Sequence, residues 1–293
     1  MKTVFEMRAS TILFNLFVSL DRPGKIIIPA NVCPVVACTL LKAKRDFELV
    51  DIDSDTLCLD EKATLSRIKA KPDEYAGVVF VHTYGTLYRP EAFFEELKRI
   101  APEILAIDDY GAAIPFFDPP VTAADVLLFS TGYAKYVELG YGGYGFLDKA
   151  VRCRPHRCEY RPADHDALVE AEKRALATGE PFQYHDTHWL DTRRPRASFE
   201  QYRQSMLDGI PTQAEHQDKV LRRISGYRGL KLFASSHYAS LRGVFGQGED
   251  AEAAKLHRNV VNLFNNYRYT AEQARTTAQI VAGCLGEGDG DDS

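Results

Sequence analysis

No excess of positive charge is present: 36 Lys and Arg stand against 41 Asp and Glu, a net charge of −5. That balance supplies no basic patch for nucleic acid and no reason for an anionic membrane surface to be a partner. No apolar run has the length to cross a bilayer. The most apolar N-terminal stretch, Ala9 to Leu20, is too short and lacks signal-peptide flanks. With no export signal visible, the cytoplasm is the expected compartment, and the six cysteines are expected as thiols rather than a disulfide framework. No repeat of solenoid period is apparent. No metal is expected either: Cys153-Arg-Pro-His156-Arg-Cys158 offers three ligands without a second pair, and His185-Asp-Thr-His188-Trp189 reads as a surface or dimer loop.

What remains is an ordinary globular composition, 45% apolar and 26% charged over 293 residues. That length accommodates one large domain and a smaller one. Lys25–Pro29, Phe47–Ile52, Gly77–His82, Leu105–Asp109, Asp125–Ser130 and Gly143–Leu147 read as strands, short apolar runs closed by turn residues or proline. Between them the pattern predicts an amphipathic helix over Ala9–Leu20, then helices over Val35–Lys42, Asp60–Ala70 and Pro90–Ile100. Strand and helix in alternation imply a mostly parallel sheet with right-handed crossovers, an α/β fold. After Ala150 the chain becomes charged. Helices are expected at Phe199–Leu207 and Gln213–Ile224, a strand at Leu230–Phe233, a closing helix at Thr270–Leu285 and a disordered acidic tail at Gly286–Ser293. The division that follows is 1–150, 151–285 and 286–293.

Two strand ends carry chemistry. Phe129-Ser130-Thr-Gly-Tyr-Ala-Lys135 puts a lysine in a small-residue turn after a buried strand, where desolvation makes an amine a better nucleophile towards carbonyls. Asp108-Asp109 closes the preceding strand, and open α/β sheets bind ligands at such carboxyl ends. An amine and an acid one strand apart fit pyridoxal phosphate, the amine holding the aldehyde as a Schiff base and the acid keeping the pyridine nitrogen protonated. Each piece also has a plain reading: a solvated loop lysine, and a carboxylate pair capping the next helix. Ser10-Thr11 is a helix cap or, with the free N–H groups beside it, a phosphate site.

The order and spacing resemble the DegT/DnrJ/StrS group of fold-type I aminotransferases. The matching signature is Asp108-Asp109 followed by small residues, Ser130 with Lys135, and Gly142-Gly143 seven and eight residues past the lysine. The likeness runs from about Arg8 to Leu147 and returns near Asn262. It implies a large pyridoxal-phosphate domain over 1–150 and a smaller C-terminal α+β domain. Lys135 would be the Schiff-base lysine and Asp109 the acid at the pyridine nitrogen. Ser10, Thr11 and Ser130 would hold the cofactor phosphate. His82-Thr-Tyr-Gly85 matches the group's His-x-Tyr-Gly turn, which His82 is expected to hold by hydrogen bonding. Two positions depart from the group: its stacking aromatic falls on Cys33, a soft residue that packs without stacking, and its glutamine near the cofactor's 3′ oxygen falls on Ala112.

The activity implied is transfer of an amino group from an amino-acid donor, glutamate by analogy, to a keto-sugar or related ketone in nucleotide-sugar biosynthesis, by a homodimer with shared active sites. Cys33 and Ala112 leave two alternatives: another pyridoxal reaction such as dehydration or decarboxylation, or a catalytically reduced scaffold subunit keeping the fold.

Overall fold

The computed structural model describes residues 1–224 apart from Leu87 and Gly179, together with Phe245, Gln247, Glu252, Ala253, Glu272 and Thr276. Seven strands form one sheet: β1 (Lys2–Glu6), β2 (Lys25–Pro29), β3 (Phe47–Val50), β4 (Tyr75–Val81), β5 (Leu105–Asp109), β6 (Val126–Ser130) and β7 (Gly143–Leu147). Their spatial order is β1-β7-β6-β5-β4-β2-β3. The five strands from β6 to β3 run parallel, and β7 and β1 complete the sheet with antiparallel pairings.

The parallel strands are continuous apolar runs because helices cover both faces. β4 is buried at every position. On one face α1 (Ala9–Ser19) and α2 (Pro34–Lys42) pack over Ile28, Val79, Ile107 and Leu128. On the other, α3 (Glu61–Ala70), α4 (Glu91–Ile100) and α6 (Phe199–Ile224) cover Val78, Phe80, Ala106 and Phe129. α3 begins as the sequence suggests, with Asp60 accepting the Ala63 N–H at 2.9 Å as N-cap.

Several expectations need correction. α1 is not amphipathic: all residues from Thr11 to Phe17 are buried. The sheet lies under this helix, and an extended segment from distant sequence lies over it. Arg154 and His156 donate backbone N–H groups to Ser19 Oγ and Asn15 Oδ1, and Arg157 pairs with Glu6. That commits the Cys153–Cys158 stretch to packing, and among the described residues no group of His, Cys, Asp or Glu is placed to hold a metal. The two helices expected between Phe199 and Ile224 are one, with Pro211 inside it. β1 and α5 (Pro162–Thr178) carried too short or too mixed a pattern to be read.

Among the described residues, a side chain from distant sequence pairs with the backbone of β3. Gln247 accepts the Leu49 N–H at 2.9 Å and donates to the Phe47 carbonyl at 3.3 Å, copying a strand partner. Among the described residues no helix is long and apolar enough to cross a membrane. The strand expected at Leu230–Phe233, the segment near Asn262 and the tail at Gly286–Ser293 lie outside the described residues. Of the closing helix only Glu272 and Thr276 are described, both helical.

Candidate active site

β5 and β6 lie side by side, with Asp109 opposite Leu128. Alternation along a strand sends neighbours to opposite faces. Asp109 therefore shares the α1–α2 face with Leu105 and Ile107, and Ser130 shares it with Val126 and Leu128. Asp108 points the other way. Its Oδ1 lies 2.8 Å from His82 Nε2, while His82 Nδ1 lies 3.1 Å from the Thr86 carbonyl. A carbonyl only accepts, so Nδ1 carries the hydrogen, and His82 ties the end of β4 to β5 and to its own turn. Tyr110 stacks on the imidazole at 3.8 Å.

Lys135 is half-buried in the loop after β6. A Cβ on Gly111 would stand 2.8 Å from Asp109 Oδ1 and 3.8 Å from Lys135 Nζ. Carboxyl and amine thus both lie beside the backbone of Gly111, where a side chain would crowd the carboxyl. The Gly111 N–H donates to Asp109 Oδ1 at 2.7 Å, which fixes the orientation of the carboxyl. Burial pushes the Asp109 carboxyl above the usual carboxylate range, against the opposing pull of Lys135 and the Gly111 N–H. Cys33, the residue before α2, is half-buried, and both Lys135 and Asp109 act on its thiol. Burial raises it, with Lys135 pulling the other way.

The hydroxyls separate into two groups. Thr11 is fully buried and its Oγ1 donates to the Asp191 carbonyl at 2.7 Å, so its only hydrogen is spent and it has none for a phosphate. Ser10 is half-buried in the first turn of α1, and Ser130 Oγ lies at the end of β6 beside Gly132. Arg8, unforeseen from the sequence, comes within 3.6 Å of the Cβ position at Gly132, as does Ser130 Oγ. It also donates to the Gly140 carbonyl at 2.9 Å. No local pattern marks Arg8; its place comes from the bridge that pairs it with Gly142. Ala112 brings no polar side chain. Its carbonyl packs against Gly85, where a Cβ would be 2.7 Å away and φ is +74°.

The glycine pair is explained by chain packing. A Cβ on Gly143 would stand 2.2 Å from the Ala9 nitrogen, and one on Gly142 2.3 Å from the Tyr202 ring. Gly142 also has φ +96°. Beside this turn opens a cavity of about 510 Å³ lined by Met7, Tyr141, Arg193, Arg194, Arg196 and Ala197. Arg193 is held by Asp191 through contacts of 2.8 and 2.7 Å. These arginines lie in the charged region beyond Ala150, where no motif drew attention to them.

No family model matches the sequence, and no curated protein does. Solved structures do. Helicobacter pylori PseC, an aminotransferase involved in the biosynthesis of pseudoaminic acid, is 12% identical with a TM-score of 0.64, the match covering 98% of this chain and 87% of that one. A Bacillus cereus protein provisionally described as a PLP-dependent aminotransferase is 12% identical with a TM-score of 0.63, over 96% and 85% of the two chains. The sugar aminotransferase CalS13 from Micromonospora echinospora is 18% identical with a TM-score of 0.51; the match covers 78% of this chain and 62% of that longer one. These identities speak for architecture alone: the mostly parallel sheet of this chain and the helices that cover it have the fold of those aminotransferases.

Proposed function

We propose that this chain is a pyridoxal-phosphate-dependent aminotransferase. The observation that carries the reading is the approach of a buried carboxyl, Asp109, and a lysine amine, Lys135, to the same glycine, Gly111. The residues present fit the cofactor at both reactive ends, and Ser10, Ser130 and Arg8 offer donors for its phosphate. Pyridoxal phosphate, when bound, supplies the electron sink that lets a bond at the donor's α-carbon break.

The chain's own residues do the rest. Lys135 Nζ would hold the cofactor and would move the proton from the donor's α-carbon, as base and then as acid. Asp109 would hold the ring nitrogen in its protonated form. A cationic nitrogen opposite offsets the burial that raises this carboxyl, so acid and ring stabilise each other's charges. Thr11 drops out of the phosphate set because its hydroxyl is engaged. The arginine-lined cavity suits the carboxylates of an amino-acid donor such as glutamate, or an anionic acceptor such as a keto-sugar nucleotide. The working unit is a homodimer with shared sites in the cytoplasm, and residues 1–150 are its cofactor domain.

A second reading, a scaffold that has lost catalysis, draws on Cys33 and Ala112, which supply neither a stacking ring nor an amide. Purified protein with added pyridoxal phosphate separates the two. The enzyme gives a visible band that borohydride abolishes, a label on Lys135 by peptide mapping, and bleaching by glutamate. Lys135→Ala gives none of these. A protein that stays colourless with added cofactor overturns the proposal.

A further inference from the structure

Ala134, the residue before Lys135, has φ +55°. A non-glycine residue in the left-handed region is strained, so something must hold it there. The loop around it is tied at several points. The Ala134 N–H donates to Glu138 Oε2 at 3.0 Å, and the Leu139 N–H donates to the Thr131 carbonyl at 2.9 Å. Thr131 Oγ1 donates to the Tyr141 carbonyl at 2.6 Å. With that hydrogen spent, the 2.7 Å contact between Thr131 Oγ1 and the Tyr202 hydroxyl has Tyr202 as its donor. Thr131 and Leu139 thus anchor the loop's ends, and Glu138 reaches across it to the strained residue.

We propose that Glu138 is the positioning residue of the lysine: by accepting the Ala134 N–H it keeps that residue left-handed, and so turns Lys135 Nζ back towards Gly111 and Asp109 instead of letting it follow the loop outwards. This rests on the reading of Lys135 as the cofactor-holding amine. The bond needs an acceptor oxygen at position 138 rather than a charge. It also matters only because position 134 carries a side chain, since glycine takes the left-handed region at almost no cost.

Four variants of the full chain test it: Glu138→Gln, Glu138→Ala, Ala134→Gly, and the last two combined. Two readouts are used. One is the rate at which the visible band forms with pyridoxal phosphate. The other, without cofactor, is acylation of Lys135 relative to the other lysines by mass spectrometry. Glu138→Ala is expected to slow band formation about tenfold, inside the hundredfold that a 1 Å misplacement can cost, and to change the Lys135 acylation ratio while leaving the melting temperature in place. Glu138→Gln keeps an oxygen for the Ala134 N–H and stays close to wild type. Ala134→Gly placed on Glu138→Ala restores most of the loss. The proposal is overturned if Glu138→Ala matches wild type in both readouts, if Glu138→Gln is as poor as Glu138→Ala, or if the glycine restores nothing. A wild-type protein that never forms the band defeats the aminotransferase reading instead; the acylation ratios across the variants still decide whether Glu138 aims Lys135.

Discussion

Asp108 and His82 close the ends of two neighbouring parallel strands with a 2.8 Å contact between Oδ1 and Nε2, and both side chains are buried. Burial pushes the Asp108 carboxyl up, and His82 and Tyr110 hold it back. Removing the imidazole leaves a buried carboxyl short of a partner, which costs about 3 kcal/mol in comparable pairs. His82→Ala should therefore lower the urea midpoint strongly. The deficit also depends on pH. A carboxyl whose folded pKa lies above its unfolded value loses stability as pH rises from the unfolded value to the folded one. Without His82 the folded value climbs further, so the deficit should be larger at pH 7 than at pH 4. Equal deficits at both pH values would contradict this account.

Gly143 and Ala9 make a second prediction. A Cβ at 143 would sit 2.2 Å from the Ala9 nitrogen, and backbone on both sides leaves nothing flexible to yield. Gly143→Ala should cost about 3 kcal/mol, the upper end for an overpacked site. Since the start of α1 carries Ser10, cofactor affinity should fall as well. Gly140→Ala is the control. It meets nothing within 4 Å but has φ +75°, so its cost should be only the backbone strain, about 1 kcal/mol. Thermal unfolding of the two variants, with cofactor titrations, measures both effects.

These two sites mark how far sequence could be read. Leu105–Asp109 and Gly143–Leu147 were visible as strands to the residue: the first opens on the apolar run of a covered parallel strand, and the second, which pairs antiparallel, is a short aromatic and aliphatic run between Gly142 and Asp148. The acid, the serine and the lysine were visible because each stands at a strand end. The purpose of Gly142-Gly143 was not: what passes close to them is Ala9 and Tyr202, residues more than fifty positions away. Arg8, Glu138 and Tyr202 were invisible for the same cause. Each acts through long-range or loop-closing contacts that leave no period in the chain. The amphipathic reading of α1 failed because the segment covering its outer side starts past residue 150.

The thiols give a third prediction. Burial pushes the Cys58 thiol up to about 12 and the Cys153 thiol up to about 11. A thiol reacts as its thiolate, so neither should be alkylated by iodoacetamide in the native protein at pH 8. Both should react once the protein is unfolded in guanidinium. Cys38, raised by burial and by Glu172, whose Oε1 lies 3.2 Å from its sulfur, should follow them. Rapid native labelling of Cys58, read by mass spectrometry, would show the packing around α3 to be wrong.

The sharpest separation of fold from function lies at Asp109. Its carboxyl is raised by burial even with Lys135 and the Gly111 N–H opposing, so in the cofactor-free protein the ionised form costs stability at neutral pH. Asparagine removes that cost and keeps an oxygen for the Gly111 N–H. Apo Asp109→Asn should therefore be at least as stable as wild type at pH 7, with the difference shrinking as pH falls and the wild-type carboxyl takes up its proton in both states. Turnover should move the opposite way, falling about a hundredfold or more, because a neutral amide cannot keep the ring nitrogen protonated. A residue whose replacement steadies the fold while stopping the reaction is retained for chemistry. If Asp109→Asn instead destabilised the apo protein and left amino transfer intact, Asp109 would be a packing residue and the place beside Gly111 would not be a cofactor site.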